Sequence, residues 1–142
     1  MTDRARILGL MALKERAAVA AMLARVADLT RRLAEAQAMA ARLEAMIDQR
    51  RAAPPVARLA TDIRSDRILT GQLLAEAARQ HGLRDGLARK LAAAQGALAQ
   101  REHRRDLLAD KAGAARQAAR DDRQARAEAM LPPRQTGLRT GP

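Results

Sequence analysis

Between Asp3 and Arg51 the apolar residues recur at alternating spacings of three and four: Val19, Met22, Val26, Leu29, Leu33, Ala36, Ala40, Leu43 and Ile47. That alternation keeps every one of them on a single stripe of an α-helix. Nine such positions in succession, none polar, cover four heptads and predict a coiled-coil helix. Extended backward the register meets Glu15, Ala12 and Leu8, so the first turns are less well specified. Residues 3–51 contain no proline and one glycine, Gly9.

Pro54 and Pro55 stop this helix, because proline lacks an amide donor and disfavours helical geometry in the residue before it. The pattern is irregular from Arg51 to Ser65, which predicts a reversing turn over about 52–65. Thr61 and Ser65 are the candidate N-caps of a second helix, with Asp66 in its dipole-favoured first turn.

That second helix is predicted over about 66–130, with a seam through Leu74, Ala77, His81, Leu87, Leu91, Ala94, Leu98, Leu108, Ala112, Ala115 and Ala119. It is a poorer seam. Arg101 and Arg105 stand where apolar residues are wanted, and are expected to pack their stems while keeping their charges in water. Gly71, Gly82, Gly86, Gly96 and Gly113 each cost about 1 kcal/mol relative to alanine in a helix interior. This helix is expected to depend on packing against the first.

The expected fold is all-α: a long antiparallel two-helix coiled-coil hairpin with unequal helices. It forms one domain over 1–130, with helix one at about 3–51, and residues 131–142, containing Pro132 and Pro133, are expected to be a disordered tail. The second helix is longer by about 16 residues, or roughly 24 Å, and the surplus falls at its C-terminal end. There Gln117 to Ala129 offer only alanine as apolar surface. Such a polar helix end is expected to fray or to be held by a partner.

Composition supports helices over a globular core. Phe, Tyr and Trp are absent, and alanine, leucine and methionine carry most of the apolar content. There is no cysteine, which removes disulfides, thiolate metal sites and a cysteine nucleophile. The apolar run Ile7 to Leu13 is broken at once by Lys14, Glu15 and Arg16 and is too short to span a membrane. The expectation is a soluble, cytoplasmic chain.

No residue constellation calls for catalysis, a cofactor, a metal or a small-molecule substrate. His81 and His103 stand 22 residues apart, about 33 Å along one helix, and cannot share a metal. Ser65, the one serine, has no histidine or glycine-rich elbow beside it. Gly82-Leu83-Arg84-Asp85-Gly86 has GxxxG spacing in a charged rather than a membrane helix, and Asp121-Asp122 is flanked by Arg120 and Arg123. The net charge of +11 raises nucleic acid as a partner. The lack of aromatics for stacking and the 16 interleaved acidic residues argue against it.

Several stretches resemble the flagellar export protein FliJ family, the stalk-like accessory proteins of the type III export ATPase. Leu43-Glu44-Ala45-Met46-Ile47-Asp48 is similar to the ending of the family's first helix. Leu74-Ala75-Glu76-Ala77-Ala78-Arg79-Gln80-His81 resembles the opening of its second. Arg101 to Leu107 and Ala115 to Ala129 look like its later charged segments, while Gln49 and Thr70 stand at about the places of turn-proximal family aromatics.

The resemblance implies a non-enzymatic part of the flagellar protein export apparatus, at the cytoplasmic side of the inner membrane and peripherally associated with it. Such a stalk links the export ATPase hexamer to the cytoplasmic domain of the export gate and assists export chaperones. Carried over residue by residue, Leu43, Met46, Leu74, Ala77 and His81 are the gate-contact candidates. Ala115, Arg116, Arg120, Arg123 and Arg126 are the candidates for the ATPase end. The alternatives are a generic structural or nucleic-acid-associated coiled-coil scaffold, or the injectisome counterpart of the stalk.

Overall fold

The computed structural model describes residues 3–52 and 60–133. Two α-helices account for nearly all of them, α1 over Asp3–Ala52 and α2 over Ala60–Met130, and they pack against each other as an all-α helical hairpin. Both first turns carry an acid, Asp3 and Asp62, and the last turn of α1 carries Arg50 and Arg51, each suited to the helix dipole. At the end of α2 the Leu131 amide donates to the Glu128 carbonyl at 3.2 Å, tightening the last turn.

α2 begins at Ala60, earlier than the expected start near 66. The two expected N-caps, Thr61 and Ser65, therefore lie within the helix, and Ser65 is exposed. Nothing between Ala60 and Ser65 breaks a helix, and Asp62 supplies the first-turn charge expected from Asp66. Pro54 and Pro55 lie outside the described residues, as does most of the expected C-terminal tail.

Packing divides the chain into two compact units, one of residues Val19–Gln100 and the other of Met1–Ala18 with Arg101–Pro142. In the Val19–Gln100 unit all nine seam positions expected on α1 are buried or half-buried, and the same register continues to half-buried Arg50. Leu29 and Ala36 pack with Leu87 and Ala94, supported by Val26, Leu33 and Leu91. Leu43 and Ile47 form a second cluster with Ala77 and Leu73. Later residues of α1 thus meet earlier residues of α2, which makes the pair antiparallel.

On α2 the heptad register of this unit runs through Thr70, Leu73, Ala77, Gln80, Arg84, Leu87, Leu91, Ala94 and Leu98, each buried or half-buried. Leu74, expected in the seam, is exposed, and its neighbour Leu73 takes the core position. Gln80 and Arg84 continue the register as polar members, so tracing large apolar residues alone misses it. These two residues also fall between the two apolar clusters in the order of α2.

In the other unit the register passes through Ala5, Leu8, Ala12 and Glu15 on α1, all buried or half-buried. α2 contributes Arg105, Leu108, Ala112, Ala115 and Ala119 to the opposite side. The α2 helix has 71 residues against 50 for α1, a surplus of 21 residues or about 32 Å. Every residue from Arg120 to Met130 is exposed. This segment remains helical through bonds along its own surface: Gln117 donates to Asp121 at 2.9 Å, Gln124 to Glu128 at 3.0 Å and Arg126 to Asp122 at 3.2 Å. Such i,i+4 pairs contribute about 0.2–0.5 kcal/mol each.

Truncating the seam tests this packing. Leu33→Ala and Leu91→Ala remove half-buried side chains and should each destabilise by about 2 kcal/mol, the low end of the range for core leucines, in urea unfolding followed by circular dichroism. A change near zero would mean the seam is misplaced. The converse holds at Gly82 and Gly96, where no atom lies within 4 Å of an added Cβ and no positive φ occurs. Alanine at either position should raise stability by about 0.5–1 kcal/mol in the same measurement.

Candidate docking surfaces

In the Val19–Gln100 unit, α1 near its C-terminal end and α2 near its start flank a groove lined by Glu44, Ile47, Asp48, Leu74, Ala77 and His81. Its floor is apolar because Ile47 and Ala77 belong to the seam. One wall carries two carboxylates, Glu44 and Asp48, spaced i,i+4 on one face of α1, and the cation Arg51. The opposite wall presents Leu74, left outward by the heptad register, and His81.

His81 ties the two walls together. Its Nε2 lies 2.6 Å from Glu44 Oε1, whereas Nδ1 is buried and has no hydrogen-bond partner among the described residues. With Glu44 ionised, Nε2 carries the proton and donates, and the imidazole ring bridges α2 to α1. Beside it on α2 the Glu76 carboxyl is held below the usual carboxylate range, first by the Gln80 amide and then by the Arg79 guanidinium.

The five gate-contact candidates do not form one surface. Leu43 and Ala77 are buried in the seam, where they belong to one cluster. Leu74 and His81 face the groove. Met46 is exposed and does not line it, because it stands two residues from both Glu44 and Asp48, roughly 200° around α1 from each. Sequence reasoning missed Glu44 and Asp48, although their spacing and their nearness to Met46 made them findable.

The unit holding the start of α1 and the later part of α2 contains a buried acid. Glu15 is 9% exposed, in a seam position otherwise occupied by alanine and leucine. Arg101 Nη1 donates to its Oε2 at 3.4 Å, and Arg104 Nη1 lies 3.9 Å from its Oε1. Arg101 therefore does more than carry its charge out to water as expected. It answers the one acid on the α1 seam. Arg105 behaves closer to expectation, half-buried with its Nε donating to Asp106 at 3.0 Å.

The start of α1 is apolar on more than its seam. Ile7, Leu10, Met11 and Leu13 are between 46% and 59% exposed, on the sides of the helix that α2 does not cover. Among the ATPase-end candidates Ala115 is half-buried, while Arg116, Arg120, Arg123 and Arg126 are exposed. Arg126 is paired with Asp122, and Arg123 Nε donates to the Ala119 carbonyl at 3.3 Å. Arg116 and Arg120 have no ion pair among the described residues.

Among the described residues no group of three or more His, Cys, Asp or Glu is placed to hold a metal, and no helix is long and apolar enough to cross a membrane. No protein-family model, curated protein or solved structure matches the chain.

The Glu15 layer is open to a double-mutant cycle. Arg101→Leu alone leaves a buried carboxylate with only the more distant Arg104 and should destabilise by about 1–3 kcal/mol in urea unfolding. Glu15→Leu with Arg101→Leu removes both charges and should return stability to the wild-type value or above it. Additive losses would show that the two residues are not coupled.

Proposed function

We propose that this chain is a non-enzymatic, stalk-like coiled coil of the flagellar type III export apparatus, linking the export ATPase ring to the cytoplasmic domain of the export gate and assisting export chaperones. The observation that carries the reading is the outward apolar surface at the start of α1. A helix that is apolar on nearly every side is ordinarily surrounded by protein. Here α2 covers one side, and Ile7, Leu10, Met11 and Leu13 are left for something else to cover. A stalk received into the pore of a ring has such an all-round environment.

The groove around Leu74 and His81 supplies a second surface, on the helix segments nearest residues 53–59, and the reading assigns it to the gate. Its contacts are then made by Leu74, His81, Glu44 and Asp48, with Leu43 and Ala77 supporting from the seam. Peripheral association with the inner membrane comes with that partner. The resemblance in the Leu43–Asp48 and Leu74–His81 stretches points the same way.

The test is ATP hydrolysis by the cognate export ATPase with and without the full chain. The expected result is binding to the hexamer and a raised rate. Ile7→Ser and Met11→Ser, both at exposed positions, should weaken the association about tenfold or more while leaving helicity intact. No binding and no change in rate would overturn the reading. The same assay with an injectisome ATPase separates the two export systems.

A further inference from the structure

A groove of about 400 Å³ runs between the start of α1 and the later part of α2. Small residues, Ala5, Gly9, Ala12 and Ala112, all buried or half-buried, form its floor, and Leu10 and Leu13 stand along its α1 side. Both leucines are more than half exposed, so neither is used up by the hairpin's own packing. Arg6 and Arg16 border it from α1 and Arg116 from α2, and no acid lines it. None of these three arginines has an ion pair among the described residues. Of the acids close to it in sequence, Glu15 is buried against Arg101, Asp106 is held by Arg105, and Asp110 is exposed and does not line the groove.

We propose that this groove docks an amphipathic α-helix of a partner protein whose apolar stripe packs on Leu10 and Leu13 and whose flanks carry Asp or Glu facing Arg6, Arg16 and Arg116. The dimensions match. From Arg6 to Arg16 is ten residues of helix, about 15 Å, the length of two to three turns of an occupant. A floor of glycine and alanine lets a third helix approach closely, and leucines at one wall give it the i, i+3 anchors that helix-in-groove recognition uses.

Charge selects the occupant. Three unneutralised arginines on both walls favour a partner of opposite sign and repel one of like sign. A second copy of this chain would bring the same arginines to the interface. A phosphate backbone would satisfy the arginines and leave the leucines in water. Of these three occupants, the acidic amphipathic helix alone uses both features. The proposal goes beyond the stalk reading and does not depend on which protein supplies the helix.

The experiment uses the full chain and a fluorescent, end-blocked 15-residue peptide of Leu, Ala and Glu, with leucines at i, i+4, i+7 and i+11. Anisotropy should show saturable binding of this peptide. Its lysine-for-glutamate analogue and a scrambled peptide without the stripe should each bind at least about tenfold more weakly. Arg116→Glu and Leu13→Ser, both at exposed positions and checked for unchanged helicity, should each weaken binding by a similar factor. Equal binding of all three peptides, or no effect of either substitution, overturns the proposal. So does the absence of saturable binding. Preferential binding to phosphatidylglycerol vesicles, or self-association in sedimentation that Leu13→Ser abolishes, would overturn it by assigning the groove to a lipid surface or to a second copy instead. Peptide binding that survives when the export ATPase is indifferent to the chain would leave the groove standing and remove the stalk reading.

Discussion

A two-helix hairpin has a single line of contact, so a position that fails to pack has no second neighbour to make up for it. In this chain the line is drawn largely in alanine and leucine. Ala5, Ala36, Ala40, Ala77, Ala94 and Ala112 are among its most buried members. An alanine methyl removes little apolar area from water, and with no aromatic residue anywhere the stabilisation per layer is small. The chain meets this constraint through length and regularity. Alanine, leucine, arginine and glutamine favour the helix before any packing is made, and the unbroken 3,4 spacing lets each short contact add to the next.

The polar seam members answer the same constraint. A leucine hairpin without interruption would pack nearly as well one heptad out of step. Glu15 cannot shift without losing Arg101 and Arg104 and leaving a carboxylate in an apolar layer. It therefore specifies register more than it adds stability, the role for which buried polar positions in coiled coils are best attested. The 3.4 Å separation from Arg101 is long for a charged hydrogen bond, which agrees with a modest energetic contribution.

How much of this is legible in the sequence depends on which helix is read. On α1 the nine apolar positions from Val19 to Ile47 are all in the seam, and the register extended back through Glu15, Ala12 and Leu8 is followed by the fold. Even the polar member keeps phase. On α2 the apolar trace leaves the true register at Leu74, because that register passes through Leu73, Gln80 and Arg84, and a search for apolar residues steps over the last two. The expected start of α2 falls too late for a related reason. Thr61 and Ser65 have capping side chains, but a cap residue must itself leave helical geometry, and nothing from Ala60 to Ser65 forces that, so both are taken into the helix. Of the surfaces, the groove beside His81 is half legible. Leu74 and His81 line it, Leu43 and Ala77 belong to the seam cluster at its base, and Met46 sits on another flank of α1, which only the seam direction reveals.

The two surfaces differ in what they ask of a partner, and the difference comes from how each helix spends its apolar residues. In the unit that holds the start of α1, leucine, isoleucine and methionine exceed what α2 can cover, since α2 answers there with Leu108 and alanines. The excess must face outward, so burial of apolar surface drives any association at that place. At the groove beside His81 the apolar floor is already shared within the hairpin. What remains outward is mostly polar: the Asp48 carboxylate, the Arg51 guanidinium, and the Glu44 carboxylate already bonded across the helices to the His81 imidazole. A partner there must replace or extend an existing hydrogen bond, which favours geometric selectivity over strength. The exposed stretch beyond Arg120 lacks both features. Its charges are largely answered within its own helix, which explains how it stays helical with no other described segment packed on it and why it offers the least to a partner.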